Sequence, residues 1–378
     1  MTKPPKRLFI FSLILAGIVR LILQLIAIPA IKYIPFKGSF PYWETILADR
    51  GPDWLWFWGN FDGVHYLNIA KINYQYGLTQ AFFPLYPVLI KIVNFIINNS
   101  LWSALIISHL SFIGFIYLFI KLGRFDFKSK SVKWASILLL LFPTSFFFFG
   151  VYTESLFLLL TAACFYYSRQ KKFLLASILA GLASATRLIG IFLLPVILWE
   201  YYQSVKKPRL TKLTLISLIS SSGLLVYLAY LQKHFNDFLI FINSQPGFGA
   251  GRQVDKLIMI YQVIFRYIKM LTTVSPQNEI YPVLAFELLA SMAFIGLIIY
   301  AFIKKLRLSY LIFIIPALLL PTLTGSFSSM PRYALAAFPL FYLLGNLKSK
   351  YKKASLAVAF ALILTWAFIR FARGYWLA

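Results

Sequence analysis

WGNFDGVHYLNIAKINYQYGLTQAFFPLYP, running from Trp58 to Pro87, is the stretch whose reading decides the fold. It carries Asn60, Asp62, His65, Asn68 and Lys71 among Trp, Phe and Tyr side chains, and a Pro-Leu-Tyr-Pro step closes it. Such polar groups are costly in hydrocarbon. The stretch therefore belongs at a membrane surface or in a wet cavity, provided that the runs on either side cross a bilayer. They have the length to do so: Leu8 to Ile31 and Leu101 to Ile120 are close to the roughly 20 apolar residues that a spanning helix needs.

Working outward, apolar runs of this kind recur along all 378 residues, 60% of which are hydrophobic, and mean hydropathy is +0.77. These values lie well above the globular norm and imply an all-α polytopic membrane protein. No polar block is long enough for a second soluble domain, so residues 1–378 read as one membrane domain. The net charge of +26 does not indicate nucleic acid, because the basic residues come in short clusters between apolar runs. Clusters of that kind mark cytoplasmic loops. Cys164 is the single cysteine, which excludes an internal disulfide and gives no metal-ligand pattern.

The clusters set a topology. Lys3, Lys6 and Arg7 hold the N-terminus inside, and the first apolar run reads as an uncleaved signal anchor. Residues 32–100 form a long first outer loop. Within it, Phe82 to Ile97 reads as a surface-lying helix, because a crossing there would put Lys121, Arg124, Lys128, Lys130 and Lys133 outside. Spans are expected at 101–120, at 134–150 and 153–168 as an outward hairpin, at 173–186 and 188–203 as a short pair, and at 211–232. A second outer loop, 233–281, follows, with an amphipathic segment over 258–272. Three further spans bracket a Ser-rich outer loop, Ser326 to Arg332, and 354–371 makes the last. The reading has about eleven helices, N-terminus inside and C-terminus outside. Of the 11 acidic residues, only Asp126 and Glu200 fall on or near the inner side. Acids play little part in the charge rule, so their gathering outside points to where chemistry is to be sought.

Asp62 is the first candidate. A carboxylate near the membrane can take a proton from a hydroxyl; the plainer reading makes it the N-cap of a helix over 63–72. His65, three residues on, shares its helical face and can orient the base or a substrate, or be a structural histidine. Glu154 sits at a hairpin tip, where it can bond a sugar hydroxyl, pair with a cation or cap a helix. Arg187 and Arg332 lie at outer turns flanked by apolar helix. An arginine fork matches phosphate oxygens, and the alternatives are snorkelling or pairing with an acid such as Glu154. With three histidines in the chain, a His-rich metal site is not expected. No phosphate-cradling Gly-rich loop or serine-hydrolase elbow is present.

These residues carry a resemblance. Asn60-Phe61-Asp62-Gly63-Val64-His65-Tyr66, Ile69-Ala70, Ala81-Phe82-Phe83-Pro84-Leu85-Tyr86-Pro87, Tyr152-Thr153-Glu154-Ser155-Leu156-Phe157, Ala185-Thr186-Arg187 and Pro331-Arg332-Tyr333 resemble the PIG-V family of mannosyltransferases. The matches fall in order from Asn60 to Tyr333. Phe61 stands where members often have Trp, which weakens an aromatic-platform reading and leaves the acid in place. The family belongs to the GT-C superfamily, so the resemblance implies a GT-C-type bundle and a polyprenyl-phosphate sugar as donor. Transfer of mannose, with inversion and on the non-cytoplasmic face, is implied with it. Carried onto this chain, Asp62 is the catalytic base and Arg187 and Arg332 hold the lipid phosphate. Glu154 and Tyr333 contact substrate, and His65 stands behind them. The implied partners are the donor, a glycan, glycolipid or protein acceptor, and the bilayer; no nucleic acid or cofactor beyond the donor is expected. The basic composition, without a retention signal, reads as a bacterial inner-membrane enzyme. Transfer of another sugar is the alternative. A flippase for a lipid-linked sugar would need inverted repeats, and none is evident.

Overall fold

The computed structural model describes residues 6–75 and 78–377, with Asp49 as backbone only. Lys3, part of the expected N-terminal charge cluster, lies outside the described residues. The longer helices, in chain order, are α1 (Lys6–Tyr33), α2 (Asp62–Ile72), α3 (Leu85–Ile97), α4 (Ser100–Asp126), α5 (Ser129–Leu140), α6 (Glu154–Arg169), α7 (Phe173–Ser184), α8 (Leu193–Ser204), α9 (Leu210–Phe235), α10 (Ile260–Thr273), α11 (Tyr281–Ile303), α12 (Leu308–Thr322), α13 (Pro339–Gly345) and α14 (Lys350–Ala372). Among the described residues there is no strand.

Five of these helices, α1, α4, α9, α11 and α14, are long and apolar enough to cross a membrane. A helix stands at each of the other expected positions but is shorter, so helix length supports five crossings and leaves the count of eleven an expectation. The surface-lying helix expected over 82–97 and the amphipathic segment expected over 258–272 correspond to α3 and α10. At 13 residues, α3 covers only about 20 Å and is short for a span. Its apolar face, Val88, Ile92, Phe95 and Ile96, is exposed.

One expected span is cut. The run 134–150 is helical only to Leu140 and ends in a 3₁₀ turn at Ser145–Phe148. Pro143 has no N–H to continue the ladder, and the Ser145 hydroxyl caps the Leu140 carbonyl at 2.6 Å. The run after Arg332 is broken likewise, with a 3₁₀ turn at Ala334–Ala337 before α13.

Close helix contact fixes the bundle. Gly181 of α7 faces Gly223 of α9, and a Cβ on Gly223 would stand 2.0 Å from the Gly181 carbonyl oxygen. Small residues let membrane helices approach this closely. The Ser184 hydroxyl then accepts the Leu224 N–H across the same seam at 3.1 Å. A continuous apolar core runs from Leu8 in α1 to Leu377 near the C-terminus.

The helices alternate in direction, so their connections sort to two ends. One end holds the links α4–α5, α6–α7, α8–α9, α11–α12 and α13–α14, where the Lys and Arg clusters gather. Asp126 pairs with Arg169 there, and Glu200 with Arg307 through two bonds of 2.7 and 2.6 Å. The other end holds Asp62, Glu154, Arg187 and Arg332. Glu154 and Arg169 open and close the 16-residue α6, so the two ends lie about 24 Å apart.

Candidate active site

Five separate loops meet at the acid-bearing end, and their backbones are tied together. The Val151 N–H donates to the Trp58 carbonyl at 2.9 Å, and the Tyr152 hydroxyl donates to the Asn60 carbonyl at 2.7 Å. The Asn60 amide reaches the Phe371 carbonyl of α14 at 2.8 Å. The Leu85 N–H, at the Pro-Leu-Tyr-Pro step, donates to the Ala185 carbonyl beside Arg187 at 2.9 Å. The Thr144 hydroxyl donates to the Pro331 carbonyl beside Arg332 at 2.8 Å. Gly63 lets α2 pass close to the hairpin tip: a Cβ there would meet the Val151 Cβ at 3.2 Å and its carbonyl oxygen at 3.3 Å, a tight fit.

Two residues that launch the charged groups have positive φ without being glycine: Phe61 (φ 59°) before Asp62, and Ser329 (φ 66°) before Arg332. Conformations of this kind cost roughly 1–3 kcal/mol each and persist where surrounding structure enforces them. Phe61 is held by Phe40, Phe371 and Trp376, at ring distances of 4.6, 6.0 and 5.9 Å. Ser329 is held from below. Its N–H donates to Glu287 of α11 at 3.3 Å, and the other oxygen of Glu287 accepts the Tyr267 hydroxyl at 2.7 Å.

Asp62 is the first residue of α2, and its side chain does not cap the helix. Its Oδ2 instead accepts from Arg332 Nη1 at 2.6 Å. Arg187 Nη1 donates to Glu154 Oε1 at 2.7 Å, and Arg332 Nε stands 3.6 Å from the same oxygen. Glu154 Oε2 is buried and has no hydrogen-bond partner among the described residues. The ring of Tyr333 lies 5.3 Å from both the Arg187 and the Arg332 guanidinium. All five residues line one cavity of about 310 Å³, within the range of small-molecule sites. His65 does not line it; it stacks on Phe82, which does, at 4.8 Å. The pairing of Arg187 with an acid, one of two alternatives in the sequence, is what the structure displays.

The cavity has a mixed lining. Beside the carboxylates and arginines it is lined by the apolar side chains of Leu188, Ile189, Phe241, Ile242, Leu320 and Pro321. Sequence reading did not single out Arg252, which also lines it. Arg252 sits in a Gly-Ala-Gly-Arg loop with no apolar helix beside it, so the criterion applied to Arg187 and Arg332 passes over it. Glu287 was likewise missed, being read as part of a span. Its signal was a lone carboxylate in an apolar run, which is costly unless partnered.

The electrostatics favour a charged pair. Burial pushes the Asp62 carboxyl up, but the Arg332 charge and hydrogen bond, aided by His65 and Arg252, outweigh it and hold the group below the usual carboxylate range. The carboxylate is enclosed by protein on most sides yet keeps 26% of its surface open. Arg332 is held firmly cationic: burial opposes its charge, and Asp62, Tyr333 and Glu154 more than compensate. Burial pushes His65 down, and the pull of Asp62 opposes this only in part. Among the described residues, no three His, Cys, Asp or Glu side chains gather as metal ligands would.

The chain is similar to solved structures of an archaeal enzyme. One is the crystal structure of the Archaeoglobus fulgidus oligosaccharyltransferase tethered by a disulfide bond to an acceptor peptide containing the NVT sequon. The likeness has 14% identity and a TM-score of 0.45, over 96% of this chain and 55% of that one. The apo form gives 14% and 0.44, over 95% and 56%. The same oligosaccharyltransferase, AglB, in complex with an inhibitory peptide and a dolichol-phosphate gives 14% and 0.39, over 96% and 56%. The chain thus spans about half the length of these structures. No curated protein matches it. A family model described as Mannosyltransferase (PIG-V) matches residues 44–268. That is more than half of the chain and takes in Asp62, His65, Glu154, Arg187 and Arg252, while Arg332 and Tyr333 lie beyond it; the protein belongs to the mannosyltransferase (PIG-V) family.

Proposed function

We propose that the protein is a membrane glycosyltransferase that moves mannose from a polyprenyl-phosphate donor to a hydroxyl acceptor, with the cavity facing the non-cytoplasmic side. The observation that carries this is the mixed lining of one cavity, where Asp62, Glu154, Arg187 and Arg332 are brought together beside apolar side chains. A lipid-linked sugar has the same two parts, a polar head and a hydrocarbon tail.

In this reading the Asp62 carboxylate accepts the proton of the acceptor hydroxyl. The hydroxyl oxygen forms a bond to C1 of the donor sugar from the face opposite the phosphate. The C1–O bond to phosphate breaks, and the lipid phosphate leaves with the electron pair. Attack from that face inverts the anomeric centre. The free oxygen of Glu154 accepts a sugar hydroxyl. Arg332 and Arg187 fix the two carboxylates and face the negative charge that grows on the leaving oxygen, where preorganised cations are most effective. Tyr333 packs between them, and His65 supports Phe82 from behind. The gathering of Lys and Arg at the opposite end supports an orientation with that end in the cytoplasm.

The test is transfer by the purified protein from radiolabelled polyprenyl-phosphate mannose to a host membrane extract. Asp62→Asn is expected to fold and to lose about 10²-fold or more in rate. Equal transfer by both proteins would remove Asp62 from the role of base and point to Glu154. Faster transfer from a donor carrying a different sugar would reassign the substrate.

A further inference from the structure

Both arginines that sequence reading assigned to phosphate are already matched by acids, Arg187 by Glu154 and Arg332 by Asp62 and Glu154. Arg252 differs. Among the described residues no acid lies within ion-pair distance of it, and its side chain makes one hydrogen bond, Nη1 to Gln245 Oε1 at 3.3 Å. Its backbone is anchored all the same. The Gln253 N–H donates to the Thr324 carbonyl at 2.9 Å. Arg266 Nη1 bridges the Gly251 carbonyl at 3.2 Å and the Gly325 carbonyl at 3.0 Å. These bonds pin the loop to the end of α12, where Leu320 and Pro321 also line the cavity.

Charge counting agrees. The cavity is lined by two carboxylates, Asp62 and Glu154, and three guanidinium groups, Arg187, Arg252 and Arg332. The arrangement leaves one positive charge over. A phosphodiester brings one negative charge, and a cation that need not first break an ion pair binds it at the lower cost.

We infer that Arg252 is the residue that anchors the anionic phosphate of the lipid donor, leaving Arg187 and Arg332 to hold the carboxylates. This rests on the lipid-phosphate donor proposed above. Gln245, which also lines the cavity, keeps the guanidinium turned inward until a phosphate takes it.

The experiment compares a long-chain prenyl phosphate with the prenyl alcohol of the same length. Their binding to the full chain in detergent is read by thermal stabilisation, with sugar transfer followed in parallel. Wild type is expected to prefer the phosphate. Arg252→Ala is expected to weaken phosphate binding about tenfold or more, to leave alcohol binding unchanged and to raise KM for the donor more than it lowers kcat. Arg252→Lys is expected to recover most of the loss. If wild type transfers sugar and Arg252→Ala keeps the full preference for phosphate, the assignment is wrong and Arg187 or Arg332 holds the anion. If the preference falls in the variant but wild type transfers from no lipid-phosphate sugar, Arg252 stands as an anion anchor and the donor reading fails.

Discussion

At the scale of single residues, the pair Asp62–Arg332 sets how the site responds to pH. Asp62 is held low by Arg332, so it is ionised across the neutral range and well below it. A base already ionised imposes no acid limb near neutrality. The expected outcome is a kcat/KM profile that is flat from pH 5 to about 7 and falls only below the ordinary carboxylate value of about 4. A limb near pH 6 would mean that the essential group is another one. The same shift bears on stability. A depressed carboxyl pKa contributes stability that is present above the unfolded value and is lost as pH falls through the folded one, so acid should loosen this end of the bundle first.

At the scale of elements, Arg187 is positioned by two helices, α7 and α9, that put no side chain into the cavity lining. It follows α7, and α7 is pressed onto α9 at Gly181 and Gly223. A methyl group on Gly223 would run into backbone, which cannot swing aside as a side chain can. Gly223→Ala is therefore expected to destabilise by about 1–3 kcal/mol, seen as a lower Tm in detergent. It should also reduce transfer well beyond the loss of folded protein, because α9 also holds the loop behind the cavity through the Tyr227 hydroxyl and the Gln80 carbonyl, 2.6 Å apart. Unchanged Tm and activity would show that the seam opens without consequence.

Across the whole molecule, charge and chemistry divide between two ends. Lys305 follows α11 and Lys256 lies in the loop after α9, so they stand at opposite ends of the bundle. Single cysteines at these sites, with Cys164 removed, test the orientation. Lys256→Cys is expected to react with a membrane-impermeant maleimide on intact cells, and Lys305→Cys only after permeabilisation. The reverse pattern would turn the cavity towards the cytoplasm.

Much of this was legible in the chain. Apolar run length, charge clusters and the segments around Asp62, Glu154, Arg187 and Arg332 are local in sequence, and each reports on its own surroundings. Composition and periodicity alone determined an all-helical membrane protein, and the ordered segments pointed to its family. What they could not supply is who pairs with whom. Asp62 and Arg332 are 270 residues apart, and nothing in either neighbourhood announces the other. Pro143 ends α5 early, yet only the contact between Thr144 and Pro331 shows what the broken run is for. Arg252 and Glu287 acquire meaning only once the loops are brought together. One is a cation with no ion pair among the described residues, and the other a carboxylate that holds Ser329 and Tyr267. The sequence by itself determined the elements and the acids and arginines they carry. The tertiary structure decided which charges are spent on one another and which is left for a ligand, because pairing energy depends on distance in space and not on distance along the chain.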